Sequence, residues 1–331
     1  MIHSVVTVTI AALSGLVSPS IAATLTIETF DPPNSIHTVG MGINSSGYVT
    51  GVFTDSGANF KRRGFLRYDN GDIAVFDVPG SDDTVPVAIN TGGKITGSYR
   101  QVNGTASLPF IRDARGGFTT FSSPLGTLTP SGINDLGAVV GVIAVSNTLT
   151  KGFVRNAKGQ ITVFSPDGAT DVSSVRINNA GVITGSFLRN GAGHAFIRDH
   201  FGNFTVFDAP NSVTTIPAGI NIAGQVTGVY IDKAFAPHGF LRSPQGAMEL
   251  LDIPMPTCIN DFGRIAGSYQ APNQPARAFE REESGRLILI EAPNASVTNV
   301  NAISLNSDVA GSFKDAVRGG ATHGLVVWVQ D

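Results

Sequence analysis

The chain of 331 residues has very little cysteine and few charged side chains. Its single cysteine, Cys258, excludes an intramolecular disulfide framework and any metal site that needs two thiolates from one chain. Charged residues make up 14% of the sequence, against about 25% in an average protein, and the net charge is −3. A polybasic nucleic-acid binder is therefore excluded. Apolar residues make up 42% of the sequence, and this proportion excludes a disordered acidic chain.

Standard catalytic and metal-binding motifs are also missing. The sequence has no Gly-x-Ser-x-Gly elbow, no phosphate-binding loop, no His-Glu-x-x-His, no dinucleotide fingerprint and no calcium loop. We therefore expect no cofactor and no metal. Any active site would have to be assembled from residues that lie far apart in the sequence.

The beginning of the chain has the pattern of a targeting segment. Residues 5–17 are apolar, but this run is shorter than the roughly 20 residues that cross a bilayer. Ser20 and Ala22 then fit the small-x-small cleavage rule. We predict that residues 1–23 are a signal peptide, cut after Ala22 or Ala23, and that the mature protein is secreted or periplasmic without a membrane span. An uncleaved membrane anchor is the alternative.

Glycine and proline are plentiful, at 39 and 18 residues, which indicates many turns. One motif, Ile-Asn-x-x-Gly-x-apolar-x-Gly, recurs every 39 to 46 residues, with a degenerate seventh copy. This period is typical of a four-stranded propeller blade of about 40–50 residues, whereas helical repeats would need uninterrupted 3.6-residue spacing. The copies begin at Ile43, Ile89, Ile133, Ile177, Ile220, Ile259 and Ile303.

Four short strands fit into each repeat unit. In the fourth unit we predict them at 171–178, 182–188, 192–198 and 203–209, separated by turns such as the Asn-Asn-Ala-Gly at 178–181. The repeated Asn and Gly are interpreted as turn residues, because both adopt positive φ at little cost.

The two ends of the chain complement each other. Residues 24–32 match the fourth strand of other units, and residues 323–328 match a third strand. We predict that Thr24–Asp31 pairs with the last unit and closes a ring, which removes an exposed sheet edge. The predicted fold is all-β: one seven-bladed β-propeller of four-stranded blades over residues 24–331.

In such a ring the strand before each Ile-Asn turn is innermost. Four of these strands carry proline three residues before the isoleucine, and proline is tolerated at an edge because it cannot donate to a ladder. These residues are Pro86, Pro130, Pro217 and Pro256.

The third strand of each unit carries a recurring tripeptide, His194-Ala195-Phe196 in its fullest form. Variants begin at Arg63, Leu108, Lys151, His238, Arg277 and His323. With the Gly-Ile-Asn and Phe-Asp-x-Pro segments, this pattern resembles the bacterial extracellular HAF-repeat proteins over nearly all of residues 24–331. Leu108-Pro109-Phe110 departs from it most. The resemblance implies an extracellular repeat protein and no particular activity.

An acidic residue stands fourteen positions after the start of four of these tripeptides. A constant hairpin register would produce this separation, so we predict cross-strand ion pairs or hydrogen bonds. Their repetition favours a scaffold role over the alternative of catalytic His-Asp dyads. The pairs are Arg63–Asp77, His194–Asp208, His238–Asp252, Arg277–Glu291 and, through ring closure, His323–Asp31.

Arginine follows the start of the tripeptide by four residues in six units. A ring of six guanidinium groups could bind carboxylated or sulfated polymers, since arginine matches such oxyanions with two donors. Alternatively, each arginine covers a neighbouring blade and pairs with acids such as Asp113 or Asp199. These ligand-binding candidates are Arg67, Arg112, Arg155, Arg198, Arg242 and Arg281.

Two units break the rule that a small residue precedes the repeated isoleucine. That residue is Arg176 in the fourth unit and Cys258 in the sixth, and both are expected near the axis. Arg176 is the principal ligand-binding candidate, with a structural role in filling the channel as the alternative. Cys258 is expected to be inert, because no basic residue nearby activates it.

These features favour an exported monomer that serves as a binding or interaction scaffold for extracellular glycans. One alternative is a polysaccharide lyase or hydrolase in which Arg176 neutralises a uronate carboxylate. A second is a non-catalytic surface that docks a protein partner. Fold class by itself does not decide among them.

Overall fold

The computed structural model describes residues 4–10, 23–253, 255–270, 274–317 and 320–330. These residues form β-strands, turns and one short 3-10 helix, Ser56–Ala58. The prediction of an all-β chain is therefore confirmed. No helix among these residues is both long enough and apolar enough to span a membrane.

The strands follow one another as short antiparallel groups. The first two are β1 (Ser4–Ile10) and β2 (Ala23–Phe30). The first repeat unit then contains β3 (Ser35–Ile43), β4 (Val49–Asp55), β5 (Lys61–Arg67) and β6 (Ile73–Phe76). The second contains β7 (Ser81–Ile89), β8 (Ile95–Gln101), β9 (Ser107–Arg112) and β10 (Phe118–Thr120).

The middle of the chain repeats this arrangement. The third unit contains β11 (Thr127–Ile133), β12 (Val139–Ser146), β13 (Leu149–Arg155) and β14 (Ile161–Phe164). The fourth contains β15 (Asp171–Ile177), β16 (Ile183–Arg189), β17 (Ala192–Arg198) and β18 (Phe204–Phe207), within two residues of the predicted bounds.

The remaining units complete the series. The fifth contains β19 (Ser212–Ile220), β20 (Val226–Asp232), β21 (Pro237–Arg242) and β22 (Met248–Leu251). The sixth contains β23 (Met255–Ile259), β24 (Ile265–Tyr269), β25 (Arg277–Arg281) and β26 (Leu287–Ile290). The last contains β27 (Ala295–Ile303), β28 (Val309–Asp315) and β29 (Thr322–Gln330).

The N-terminal strand lies beside the last strand of the chain. β2 pairs antiparallel with β29 from Thr24 opposite Gln330 to Phe30 opposite Gly324. On its other side β2 pairs with β1, which belongs to the predicted signal peptide. Ala22, the first of the two predicted cleavage positions, lies outside the described residues, so cleavage stays a prediction.

The first strands of the units surround a common centre. β3, β7, β11, β15, β19, β23 and β27 contact one another in this order, and β27 contacts β3. Each has a register shift two or three residues before the repeated isoleucine, as between Pro86 and Ala88. Proline marks this β-bulge in four units because the ladder is interrupted there.

The core of each unit is built around the third residue of the tripeptide. Phe65 and Phe196 are fully buried, as are their counterparts in the other units. The second glycine of the repeat leaves room for this ring: a Cβ on Gly51 would lie 2.0 Å from the Val39 carbonyl oxygen and 2.8 Å from the Phe65 ring. Only the first glycine, such as Gly47 with φ 75°, serves the turn. The interpretation of both glycines as turn residues is therefore corrected.

Candidate functional site

The first strands enclose a central cavity of about 500 Å³. Repeated isoleucines such as Ile43 and small residues such as Gly132 form most of its wall. Arg176 and Cys258 both line it, because the bulged first strands present the residue before the isoleucine towards the centre. The two exceptions to the repeat are therefore in one cavity.

Arg176 brings a positive charge into this cavity, whose wall is part apolar and part polar. Its Nη1 donates to the Val175 carbonyl oxygen at 3.1 Å, and within the described chain no carboxylate lies at ion-pair distance from it. Burial lowers its pKa, because desolvation penalises the charged form. A guanidinium group has five N–H donors, so most of the donors of Arg176 are available to a ligand in the cavity.

Cys258 has the properties of an inert thiol. Its Sγ lies 3.7 Å from both the Ala266 carbonyl oxygen and Thr257 Oγ1. Burial raises the pKa of the thiol to about 12, so it stays protonated at neutral pH. It contributes shape to the cavity rather than a nucleophile.

Other polar groups at the bulges are used within the scaffold. Ser131 Oγ donates to the Val175 carbonyl oxygen at 2.6 Å, and Thr257 Oγ1 donates to the Val300 carbonyl oxygen at 3.0 Å. Each bond crosses to the next first strand. Arg176 is thus the charged group that the cavity wall leaves for a ligand.

The repeated asparagines join the units at one end of the cavity. Each buried side-chain amide donates to the backbone carbonyl of the next repeated residue, at 2.8 to 3.2 Å, from Asn44 to Ser304. The side-chain oxygen accepts from the turn, as Asn44 does from Tyr48 N at 3.0 Å. Sequence reasoning found the turn role and missed the link between units, although both partners recur at the repeat spacing.

A smaller cavity of about 170 Å³ lies at this asparagine ring. Asp135 and Asn179 stand beside it and are bound to each other, with Asn179 Nδ2 donating to Asp135 Oδ2 at 2.8 Å. No group of three potential metal ligands occurs among the residues that the structure describes.

The repeated arginines lie against aromatic rings of the preceding unit. In five units the guanidinium carbon is 4.8 to 5.4 Å from the ring centre of a phenylalanine in, or just after, the fourth strand. Such cation–π contacts favour the covering role that was the alternative to ligand binding. The pairs are Arg67–Phe30, Arg112–Phe76, Arg155–Phe121, Arg198–Phe164 and Arg242–Phe207.

Further contacts hold these arginines in the scaffold. Arg112 and Arg198 donate to the carbonyl oxygens of Asp113 and Asp199, whereas the sequence predicts pairing with their carboxylates. Those carboxylates accept backbone hydrogen bonds of their own turns. Within the part of the chain that the structure describes, Arg281 makes no cation–π contact, and it pairs instead with Glu249 at 2.6 Å.

Four of the five cross-strand pairs are in contact. Nitrogen–oxygen distances are 2.9 Å for Arg63–Asp77, 2.8 Å for His194–Asp208, 3.1 Å for Arg277–Glu291 and 2.6 Å for His323–Asp31. The last pair links β29 to the residue after β2.

His238 requires a correction. Its Nε2 lies 2.9 Å from Asp232 Oδ2, and among the described residues no hydrogen bond or ion pair joins it to Asp252. Asp232 ends β20, and a short turn brings it close to the histidine. In the first unit Asp55 has a similar place, but the guanidinium of Arg63 reaches both Asp55 and Asp77. An imidazole lacks the parallel donors of a guanidinium group, and His238 pairs with Asp232.

Comparison with solved structures supports the architecture. A streptogramin B lyase has a TM-score of 0.62 at 15% identity, covering 92% of this chain and 98% of that one. The β-propeller domain of the trilobed protease from Pyrococcus furiosus has a TM-score of 0.63 at 8% identity, and the match covers 88% of this chain and 93% of that domain. The chain has a propeller-like β fold. Virginiamycin B lyase from Staphylococcus aureus is also similar. Its TM-score is 0.60 at 13% identity, and the match covers 91% of this chain and 99% of the lyase.

These identities are low enough that the similarity concerns the fold alone. No protein-family model matches the chain. No curated protein matches it in sequence either.

Proposed function

We propose that the chain is an exported HAF-repeat protein, folded as a single seven-bladed propeller that β2 closes. The pairing of β2 with β29 and the cyclic contacts of the first strands support this ring. We further propose that it acts as a monomeric, non-catalytic scaffold that binds extracellular glycans carrying carboxylate groups.

One observation carries the functional part of the proposal: Arg176 is a cation in a cavity of about 500 Å³ without a carboxylate partner among the described residues. An isolated charge in a poorly solvated place is costly unless a counter-charge compensates it. The carboxylate of a terminal uronic acid would accept two parallel hydrogen bonds from the guanidinium group. The repeated isoleucines that line the cavity would exclude water from this contact.

The composition of the cavity supports binding over catalysis. A lyase or hydrolase of acidic polysaccharides would need a general base or acid beside Arg176. The titratable neighbour is Cys258, whose raised pKa of about 12 keeps it protonated. Product formation therefore tests the enzymatic alternative. If no glycan binds, docking of a protein partner is the function left to test.

The test uses residues 24–331 and the variants Arg176→Gln and Arg112→Gln, the latter a matched change at a repeated arginine. Binding to tri-galacturonic acid is measured by calorimetry, with a neutral xylo-oligosaccharide as the comparison ligand. New reducing ends and unsaturated products are recorded in parallel on polygalacturonate. We expect Arg176→Gln to weaken binding tenfold or more, which corresponds to about 1.4 kcal/mol, because a charge-assisted contact is lost.

Arg112→Gln should bind as the wild type does, and binding should weaken as salt is added. Product formation that Arg176→Gln abolishes would establish an enzyme instead. A wild-type protein that binds no acidic or neutral glycan would overturn the glycan proposal and direct the search to protein partners.

A further inference from the structure

An aromatic side chain is exposed on the loop between β4 and β5, in a backbone geometry that such residues rarely adopt. Phe60 has φ 60° and is 65% exposed. Apart from Phe60 and Phe235, the described residues with positive φ are glycine, asparagine or serine. A bulky residue in the left-handed region is strained, and such strain persists mainly at binding and catalytic sites.

The loop that carries Phe60 is held firmly. The buried Asp55 carboxylate accepts from Gly57 N at 2.9 Å and pairs with Arg63 Nη1 at 3.0 Å. Ser56 N and Oγ both donate to the Asn34 carbonyl oxygen, at 3.0 and 2.9 Å. The phenyl ring therefore projects from a fixed base rather than from a free loop.

Phe60 forms part of a cleft of about 380 Å³ between the first and second units. This volume falls within the range of about 300–1,000 Å³ that is usual for small-ligand sites. The rest of the cleft is polar, with Arg62, Asp82, Asp83 and Arg100 among its lining residues. An aromatic face thus stands beside hydrogen-bonding groups.

The charged groups of the cleft hold one another in place and still leave donors. Arg62 donates to the buried Asp83, while Arg100 Nε lies 3.0 Å from Asp82 Oδ1. The side chains of Arg62 and Arg100 remain 54% and 43% exposed. Each guanidinium group has five N–H donors, so both have donors left after these contacts.

We propose that this cleft is a pyranose-binding subsite. The Phe60 ring would cover the flat C–H face of one sugar, Arg62 and Arg100 would donate to its hydroxyl oxygens, and Asp82 would accept from a hydroxyl. The proposal rests on the glycan-binding function and adds a contact outside the central cavity.

The chemistry of the walls favours a sugar over other aromatic-binding ligands. A protein anchor would need an apolar pocket, whereas the walls beside the ring are charged. A phosphorylated ligand would meet two guanidinium groups that carboxylates already neutralise. A pyranose combines one apolar face with a rim of hydroxyls and matches both parts of the cleft.

The test compares Phe60→Gly, Phe60→Trp and the control Phe201→Ala in residues 24–331. Phe201 is 80% exposed on the turn between β17 and β18, away from the cleft. Mobility is measured in native gels that contain polygalacturonate, xylan or hydroxyethyl cellulose, alongside Arg176→Gln. We expect Phe60→Gly to weaken binding about tenfold and Phe60→Trp to bind at least as well as the wild type.

Stability gives a second readout. Glycine adopts φ 60° without strain, so Phe60→Gly should melt at the same temperature as the wild type or higher while it binds less. Loss of binding together with an unchanged or raised melting temperature supports the subsite.

If polysaccharide retards the wild type, Phe60→Gly is retarded equally and Arg176→Gln is retarded less, the subsite is overturned and the proposed function stays intact. A wild-type protein that no polysaccharide retards overturns both.

Discussion

Two sets of arginines occupy very different places in this molecule. Arg67 and its counterparts recur in six units, and five of them lie on aromatic rings of the preceding unit. Arg67 itself is also bound to a carbonyl and a carboxylate oxygen. Arg176 occurs once, in the central cavity, where its described hydrogen bond is to the neighbouring carbonyl of Val175. The same side chain is thus a cover between units in one region and a charge available to a ligand in the other.

This difference shows how function can be separated from scaffold in a repeat protein. A residue that recurs at equivalent positions has equivalent neighbours, so its contacts are those that every unit needs to pack. A residue that breaks the repeat has no such requirement. Where it also has unused donors, as Arg176 does, it becomes the better candidate for binding.

The largest effect is expected from Arg67→Ala. The side chain of Arg67 is 3% exposed, covers Phe30 and pairs with Glu28 on β2. Its removal should lower the free energy of unfolding by about 3 kcal/mol, because a buried charge pair and the cover of the ring are lost together. Urea unfolding measures the change.

Arg281→Ala is the matched control within the same ring. Arg281 makes no cation–π contact among the described residues, and the side chain of its partner Glu249 is 52% exposed. The expected loss is below about 1 kcal/mol. Equal losses for the two variants would contradict the assigned role of the aromatic contact.

The asparagine ring should give the next largest effect. Asn178 Nδ2 donates to the Asn221 carbonyl oxygen at 2.8 Å, and its Oδ1 accepts from Ala180 N and Val182 N, both at 3.0 Å. Asn178→Ala leaves these buried groups unpaired and should cost about 2 kcal/mol in unfolding free energy. Asn179→Ala, at the more accessible next position, should cost less than about 1 kcal/mol, and the reverse order would contradict the link between units.

The burial of Cys258 in the central cavity should make the free energy of unfolding depend on pH. The thiol ionises near its ordinary pKa in the unfolded chain but only at about 12 in the folded one. The stabilisation that the protonated thiol gives the folded state is therefore complete below about pH 8.5, and it is lost as the pH rises towards 12. Between pH 8 and 10 the wild type should lose about 1–2 kcal/mol more stability than Cys258→Ala. Parallel pH profiles of the two proteins would show that the thiol is not protected.

The smallest effect on stability is expected from Arg176→Met. Replacing a desolvated cation with an apolar side chain of similar length should leave the unfolding free energy unchanged or raise it by about 1 kcal/mol. Binding of tri-galacturonic acid should be lost in the same variant. A marked loss of stability in thermal or urea unfolding would instead support the structural role, in which Arg176 fills the channel.

Contacts inside one unit were largely predictable from residue patterns. The strand bounds of the fourth unit and the pairing of His194 with Asp208 follow from local turns and a constant hairpin register. The prediction for His238 was wrong because Asp232 competes with Asp252, and a repeat alignment does not rank two carboxylates by distance.

Residue patterns alone predict the repeat, the all-β class, most pairs within a unit and the two exceptions, Arg176 and Cys258. These features depend on turn chemistry and two-residue alternation, which act over a few residues. Tertiary structure decided which unit each arginine covers, where each asparagine amide donates and what stands beside Phe60. Those contacts join residues of different units, so they depend on how the units stack, which no pattern within one unit specifies.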